Sequence, residues 1–374
     1  MGRIVIVGGG FAGLAALDRL GSQSERHDIL VIDQRPHFEF LPLLPDVVGR
    51  RLPHRYLRTS IGAVAARAGA RFVQDVVTGI DGASRRVITR RNSFPYDAVL
   101  LASGTQTDFY GNDDLTGAVY KLDCVEDASR IAERADKGDF ANIVVVGGGY
   151  TGIEIATGMR RRLRSLGRGT PIHLVEMKDS LIPSLPSHLR GYCRRNCKRM
   201  DVRLRLHETL EAVRDGDATL RGGEVIERAM VIWSAGVHTP SYVRNLDYPQ
   251  AQQGRLQVDQ TLAVADSVFA AGDTAAFRKG EAPLRLAVQF SITEGQHAAD
   301  NLVRYLDGHP LEPYNPFDPG YVVPMANNLS CGTPLGISVT GVLPTALHYF
   351  MSVFRSRGLE NRLGILHHLF YGKS

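Results

Sequence analysis

The stretch Ile4-Val5-Ile6-Val7-Gly8-Gly9-Gly10-Phe11-Ala12-Gly13 returns 139 residues later as Ile143-Val144-Val145-Val146-Gly147-Gly148-Gly149-Tyr150-Thr151-Gly152. Each copy reads as a β-branched strand, a tight glycine turn and the start of an apolar helix. Gly8 and Gly147 make the turn. Gly10 and Gly149 let the backbone approach a pyrophosphate. Gly13 and Gly152 let the helix pack closely on the strand. The helix N-terminus then offers free N–H groups and the positive end of its dipole to the phosphates. One such turn alone is weak evidence, because glycine-rich turns are common. Two copies in the same frame are not.

An acid follows each copy. Ile29-Leu30-Val31-Ile32 leads into Asp33, 20 residues after Gly13, and Ile172-His173-Leu174-Val175 leads into Glu176, 24 residues after Gly152. A carboxylate at that distance accepts hydrogen bonds from a ribose diol and repels a 2′-phosphate. Gln34 follows the first acid and is counted with its adenosine site. Both sites should therefore take dinucleotides with unphosphorylated adenosine ribose, such as FAD and NAD(H).

Composition sets the outer limits. The 374 residues, 44% hydrophobic and 22% charged, suit two or three globular domains with sizeable cores. The net charge of +5 is modest. Arg160-Arg161-Arg162 and Arg194-Arg195 are locally basic but lack interleaved aromatics, so nucleic acid is not expected as a partner. The first strand begins at residue 4, leaving no room for a signal peptide. Met1-Gly2 lacks the pattern for myristoylation. No apolar run is long enough to span a bilayer.

Cys124, Cys193, Cys197 and Cys331 are too few and too scattered for a disulfide framework. Cys193 and Cys197 share one face of an expected helix and read as small buried residues. His37, His173, His238, His367 and His368 have no partners at metal-ligand spacing, and no metal site is expected. No cysteine lies between the first glycine turn and residue 123, which disfavours a flavin enzyme with a redox disulfide.

The chain thus reads as an α/β protein with two nested Rossmann-like folds. Arg71 to Val77 and Arg86 to Thr89 read as short strands. Ala98-Val99-Leu100-Leu101 runs as a strand into Ala102-Ser103-Gly104. The second fold closes with Met230 to Val237. Ser267 to Asp273 and a long helix near residues 287–306 follow, before a Pro-rich stretch at 309–324.

With these segments in view, the chain resembles the flavoproteins with two dinucleotide-binding domains, and among them the type II NADH:quinone oxidoreductases. Phe40-Leu41-Pro42-Leu43-Leu44-Pro45, Ala102-Ser103-Gly104, Trp233-Ser234-Ala235-Gly236-Val237 and Phe269-Ala270-Ala271-Gly272-Asp273 carry the resemblance. It implies an FAD-binding domain at 1–117 and 251–320, an NAD-binding domain at 118–250 and a C-terminal segment for membrane association and dimerisation at 321–374. It further implies that Gly272-Asp273 meets the FAD ribityl chain and that the Val76 backbone meets adenine. Val288-Gln289 would open a helix facing the flavin pyrimidine ring. Where the family carries Gln-Gln-Gly, this chain has Thr293-Glu294-Gly295. Glu154, placed in the first turn of the second nucleotide-binding helix, matches a residue that relays protons or holds the nicotinamide; its plain reading is a carboxylate favoured by the helix dipole. The implied reaction passes hydride from NADH to FAD and then two electrons to a membrane quinone, ubiquinone or menaquinone, without proton pumping.

The C-terminal segment bears on where this happens. Leu343, Ala346, Leu347, Phe350, Val353 and Phe354 share a helical face, and Leu359, Leu363, Leu366, Leu369 and Phe370 repeat it. Arg355, Arg357, Arg362 and Lys373 flank them. Two amphipathic helices of this kind suit a lipid surface, and the alternatives are packing on the protein's own core or a dimer contact. The expected setting is peripheral, on the cytoplasmic side of the cell membrane, as a homodimer. Other readings are a sulfide:quinone oxidoreductase using Cys124 and Cys331, a soluble NADH-dependent reductase of another acceptor, and a redox sensor.

Overall fold

A computed structural model describes residues 2–372. In chain order, the elements that position the sites are β1 (Arg3–Val7), α1 (Phe11–Leu20), β2 (Asp28–Asp33), α2 (Leu44–Arg50), β3 (Arg71–Gln74), β4 (Ala98–Leu101), β5 (Asn142–Val146), α3 (Tyr150–Ser165), β6 (Ile172–Glu176), α4 (Ser187–Arg199), β7 (Val202–Leu206), β8 (Ala229–Trp233), β9 (Ala263–Ala265), β10 (Val268–Ala270), α5 (Val288–Leu306), β11 (Ser330–Gly332), α6 (Val342–Arg355) and α7 (Leu359–Tyr371). They divide into two compact units. The first gathers residues up to Phe38, Thr59–Gln106 and Val237–Asp318; the second gathers Glu39–Arg58, Thr107–Gly236 and the residues from Pro319 onward. Segment 39–58 thus clusters with the second fold, although it follows the first in sequence.

In the first unit a six-stranded sheet runs in the order β9-β10-β4-β1-β2-β3. All neighbours are parallel except β9 and β10. Ile4 to Val7, Ile29 to Ile32 and Ala98 to Leu101 are buried, as strands covered on both faces require. One apolar core packs Val5, Val7, Leu30 and Ile32 against Val99, Leu101, Val268 and Ala270. The expected strand from Arg71 to Val77 breaks at Asp75. Its carboxylate accepts the Val76 amide at 2.8 Å and the Thr89 hydroxyl at 2.8 Å, and an antiparallel strand restarts at Val77.

The second unit repeats the plan with a parallel sheet in the order β7-β6-β5-β8. Val144, Val146, Val175, Val231 and Trp233 share a core with a small antiparallel sheet over residues 210–226. In both sheets the strand order reverses beside the first strand, and ligands of open α/β sheets bind outside the carboxyl ends at that point. The unit also holds a three-stranded sheet around β11, followed by α6 and α7. No helix among the described residues is long and apolar enough to cross a membrane.

Candidate dinucleotide sites

The two glycine turns are built alike. Gly8 and Gly147 have φ of 106° and 107°, values open to glycine and strained for other residues. A Cβ on Gly13 would lie 1.8 Å from the Gly8 carbonyl oxygen, and one on Gly152 would lie 1.8 Å from that of Gly147. Gly10 and Gly149 cap α1 and α3 with no side-chain cap, and a Cβ on either would meet nothing within 4 Å. Each turn is therefore closed on the strand side and open at the helix N-terminus. That shape fits a dinucleotide pyrophosphate.

The acids lock both turns in the same way. Asp33 accepts the Gly9 amide at 2.6 Å and the Arg35 amide at 2.7 Å. Glu176 accepts the Gly148 amide at 2.6 Å and the Lys178 amide at 2.8 Å. One carboxylate oxygen in each site thus braces the turn. A carboxylate has about four lone-pair sites, so capacity remains for a ribose diol. Gln34 is exposed beside Asp33, and its carbonyl accepts the Gln74 side-chain amide at 3.2 Å.

The rest of the first site follows from strand ends. Ala102 and Gly104 leave β4, and the Gly104 amide donates to the Thr274 hydroxyl at 2.9 Å. Asp273, just past β10, accepts the Thr105 hydroxyl at 3.3 Å. Burial raises its carboxyl above the usual range, against the pull of Arg255 and the Thr105 hydroxyl. Ala12 lies under α5: a Cβ on Gly295 would sit 2.1 Å from the Ala12 carbonyl oxygen. Phe11 packs edge-on against Phe38, with ring centroids 5.0 Å apart. α5 begins at Val288-Gln289 without a side-chain cap or an acid in its first turn, so its positive end is left for an anionic group. These features fit FAD, with its ribityl chain at Asp273 and its ring toward the start of α5. Val76 is less free than the resemblance implies. Its amide is taken by Asp75, and its carbonyl accepts the Arg90 amide at 2.9 Å.

Glu294 is the residue that sequence reading undervalued. Only 2% exposed, it accepts the Gly272 amide at 2.7 Å. Burial pushes its carboxyl up to about 8, although the Gly272 amide and Arg255 oppose this. Where the family's glutamine would face an acceptor, this carboxyl is turned inward to brace the Gly272-Asp273 turn.

In the second unit Glu154 is the fifth residue of α3, one position beyond its first turn. This corrects the expected first-turn placement, and the helix dipole alone accounts for less of its position. Glu154 lines a cavity with Asp46, Arg50 and Tyr349. Burial, reinforced by the Asp46 charge, raises its carboxyl well above the usual range. Sequence reading did not single out Asp46 or Tyr349. Their only signal was an acid after Pro45 and a tyrosine on the polar side of a helix noticed for its apolar side.

The cysteines all lie in the second unit. Cys193, Cys197 and Cys331 are buried, and the sulfurs of Cys193 and Cys331 are 3.3 Å apart. Glu39, Cys124 and Glu126 also come together. Arg58 pairs with both glutamates there, and Glu39 accepts the Val125 amide at 2.9 Å. An internal cation already fills that cluster. His173 is buried with neither ring nitrogen hydrogen-bonded, and burial with Arg205 and Arg203 nearby lowers it to about 4.

Two braced turns, each following a strand flanked by parallel neighbours and each with an open helix end, define a dinucleotide-dependent oxidoreductase. The chain belongs to the pyridine nucleotide-disulphide oxidoreductase family, whose sequence profile matches residues 2–300. It is 30% identical to an NADH dehydrogenase-like protein of Mycobacterium tuberculosis, over 83% of this chain and 82% of that protein. It is 29% identical to the demethylphylloquinone reductase of Synechocystis, over 92% of this chain and 89% of that one. In fold it matches the structure of NDH2 from Plasmodium falciparum in complex with NADH, with a TM-score of 0.86, 15% identity and coverage of 100% and 99%.

Proposed function

We propose that the protein is an FAD-dependent NADH:quinone oxidoreductase working at a membrane surface. The observation that carries this is the duplicated brace: Gly9 on Asp33 and Gly148 on Glu176, two adenosine-ribose sites in one chain. Relatives named as an NADH dehydrogenase-like protein and a demethylphylloquinone reductase support the same reading. The first site, with Gly8, Gly10, Gly13, Asp33, Ala102, Gly104, Gly272, Asp273 and Gln289, holds FAD, which when bound supplies a two-electron carrier between a hydride donor and a quinone. The second, with Gly147, Gly149, Gly152 and Glu176, holds NADH through its pyrophosphate and ribose. Holding both partners turns a bimolecular reaction into a positioned one. Net turnover consumes NADH, quinone and one proton and yields NAD and quinol. By the family resemblance, Glu154 is assigned to handle that proton.

The C-terminal helices are the candidate membrane-facing surface. On α6 and α7, Leu343, Phe350, Phe354, Leu359, Leu363 and Phe370 are each more than half exposed. An apolar surface of this extent marks a partner. With Arg355, Arg357 and Arg362 among these side chains, the partner is an anionic lipid surface, on the cytoplasmic face of the membrane. Lys373 lies outside the described residues. A second copy of the chain is the competing cover. Loss of dimers rather than of vesicle binding, on mutating this face, would favour it.

Sulfide as donor is disfavoured by burial, since Cys331, one of the two candidate thiols, is buried. The deciding test is anaerobic rapid mixing of the flavin-loaded protein with NADH and then with a short-chain quinone. Fast bleaching followed by fast recovery is expected. Bleaching without recovery would remove the quinone from the reading, and no bleaching would remove NADH.

A further inference from the structure

Glu154 is a half-buried acid with no cation at ion-pair distance among the described residues, and its neighbours explain how such a group is held. α2 and α3 cross in close contact: a Cβ on Gly49 would lie 2.5 Å from the Gly158 Cα. Asp46 lies three residues before Gly49 and Glu154 four before Gly158, so the two acids line one small cavity with Pro45, Arg50, Met325 and Tyr349. The space, about 20 Å³, is room for about one water. Two donors converge on Asp46. The Tyr349 hydroxyl donates to Oδ1 at 2.7 Å, and Arg50 Nε lies 3.0 Å from the same oxygen. Together they fix the orientation of that carboxylate.

We propose that Asp46 is a positioning residue for Glu154: held by Arg50 and Tyr349, it lines the same small cavity as Glu154 and its carboxylate bears on that carboxyl across it. This rests on the reading of Glu154 as the proton-handling group. The surroundings allow it from every side. α2 contributes Asp46 and Arg50. α3 contributes Arg161, whose Nη1 donates to the Ala326 carbonyl at 3.1 Å and so is turned to the backbone. α6 contributes His348 and Tyr349. Burial lowers His348 and raises Tyr349 well above its usual range, so both stay neutral near neutral pH. The anion facing Glu154 is then Asp46. Glu154 and Asp46 thus share a cavity with room for about one water between them.

The test uses the full-length, flavin-loaded, oxidised protein without NADH or quinone, so it is independent of the reaction assigned above. Infrared spectroscopy reads the carbonyl band of a protonated carboxyl, and the band missing in Glu154→Gln is that of Glu154. In the parent protein the band should persist through neutral pH. In Asp46→Asn its titration midpoint should fall by about one pH unit or more, the size of a close like-charge effect. Asp46→Glu, which restores the anion, should return the midpoint to the parent value. Should Asp46→Asn not fold, Asp46→Ser keeps a polar partner for Tyr349 and should show the same fall. An unchanged midpoint in a folded Asn or Ser variant overturns the proposal, as does an ionised Glu154 at neutral pH in the parent. Failed bleaching by NADH with an intact band and shift would instead count against the enzymatic reading alone.

Discussion

Two carboxylates do different work at the two ends of this chain's chemistry, and each gives a prediction at the scale of one residue. Glu176 braces its turn through the Gly148 and Lys178 amides and keeps acceptor capacity for a ribose. Glu176→Ala should weaken NADH binding by roughly 10- to 100-fold, the worth of a charge-assisted hydrogen bond, while the protein stays yellow. Unchanged affinity in an NADH titration would remove the second site. Glu294 tests burial instead. It ionises at about 8 in the fold against an ordinary value of 4.5. The folded state therefore keeps a proton that the unfolded chain has released. Stability from this group is full below about 4.5 and is lost as pH rises to about 8. Glu294→Gln cannot ionise and still offers an oxygen to the Gly272 amide. Its thermal midpoint should rise relative to the parent between about pH 5.5 and about pH 8.5; parallel midpoints across that range would contradict the inward, buried placement.

At the scale of elements, the strands and glycine turns were legible because their signal is local. A β-branched run, a turn that excludes Cβ and an acid at the next strand end each follow from a short stretch of chain. What was not legible depends on elements far apart in sequence. Asp46 and Tyr349 are 303 residues apart, and only packing brings the hydroxyl onto the carboxylate. The break at Asp75 was missed because a side chain outcompeted the β-ladder for the Val76 amide. The C-terminal helices show both cases. Their apolar periodicity was plain, but whether it faced a core or solvent was not. The structure leaves Phe350 at 66% and Phe354 at 63% exposure, while Ser352 is buried on the other side. Phe350→Glu combined with Phe354→Glu should lower partitioning onto anionic phospholipid vesicles by on the order of 100-fold or more, since burying each Phe is worth about 1.5–3 kcal/mol. Turnover with a water-soluble quinone should persist. Undiminished vesicle sedimentation would mean that this face is not the docking surface.

For the whole molecule, the distribution of cysteine separates this chain from flavin enzymes that store electrons in a disulfide. All four cysteines fall in the second unit, three of them buried. A thiol reagent should therefore modify Cys124 first in the native protein, and all four thiols only after unfolding. Fast native reaction at Cys331 would reopen sulfide chemistry.

The division of the chain also orders events during its synthesis. β4 offers a fully buried run, Ala98 to Leu101, whose outer edge is paired by β10. That partner begins at Val268, so a ribosome adding about 5–20 residues per second leaves the edge of β4 bare for roughly ten to thirty seconds. Over the same interval β5 to β8, contiguous within residues 142–233, emerge complete. The parallel sheet of the second unit is thus finished before the sheet that begins the chain. A nascent chain stalled before Val268 carries a closed second sheet and an unfinished first one, which makes it the form most in need of a chaperone.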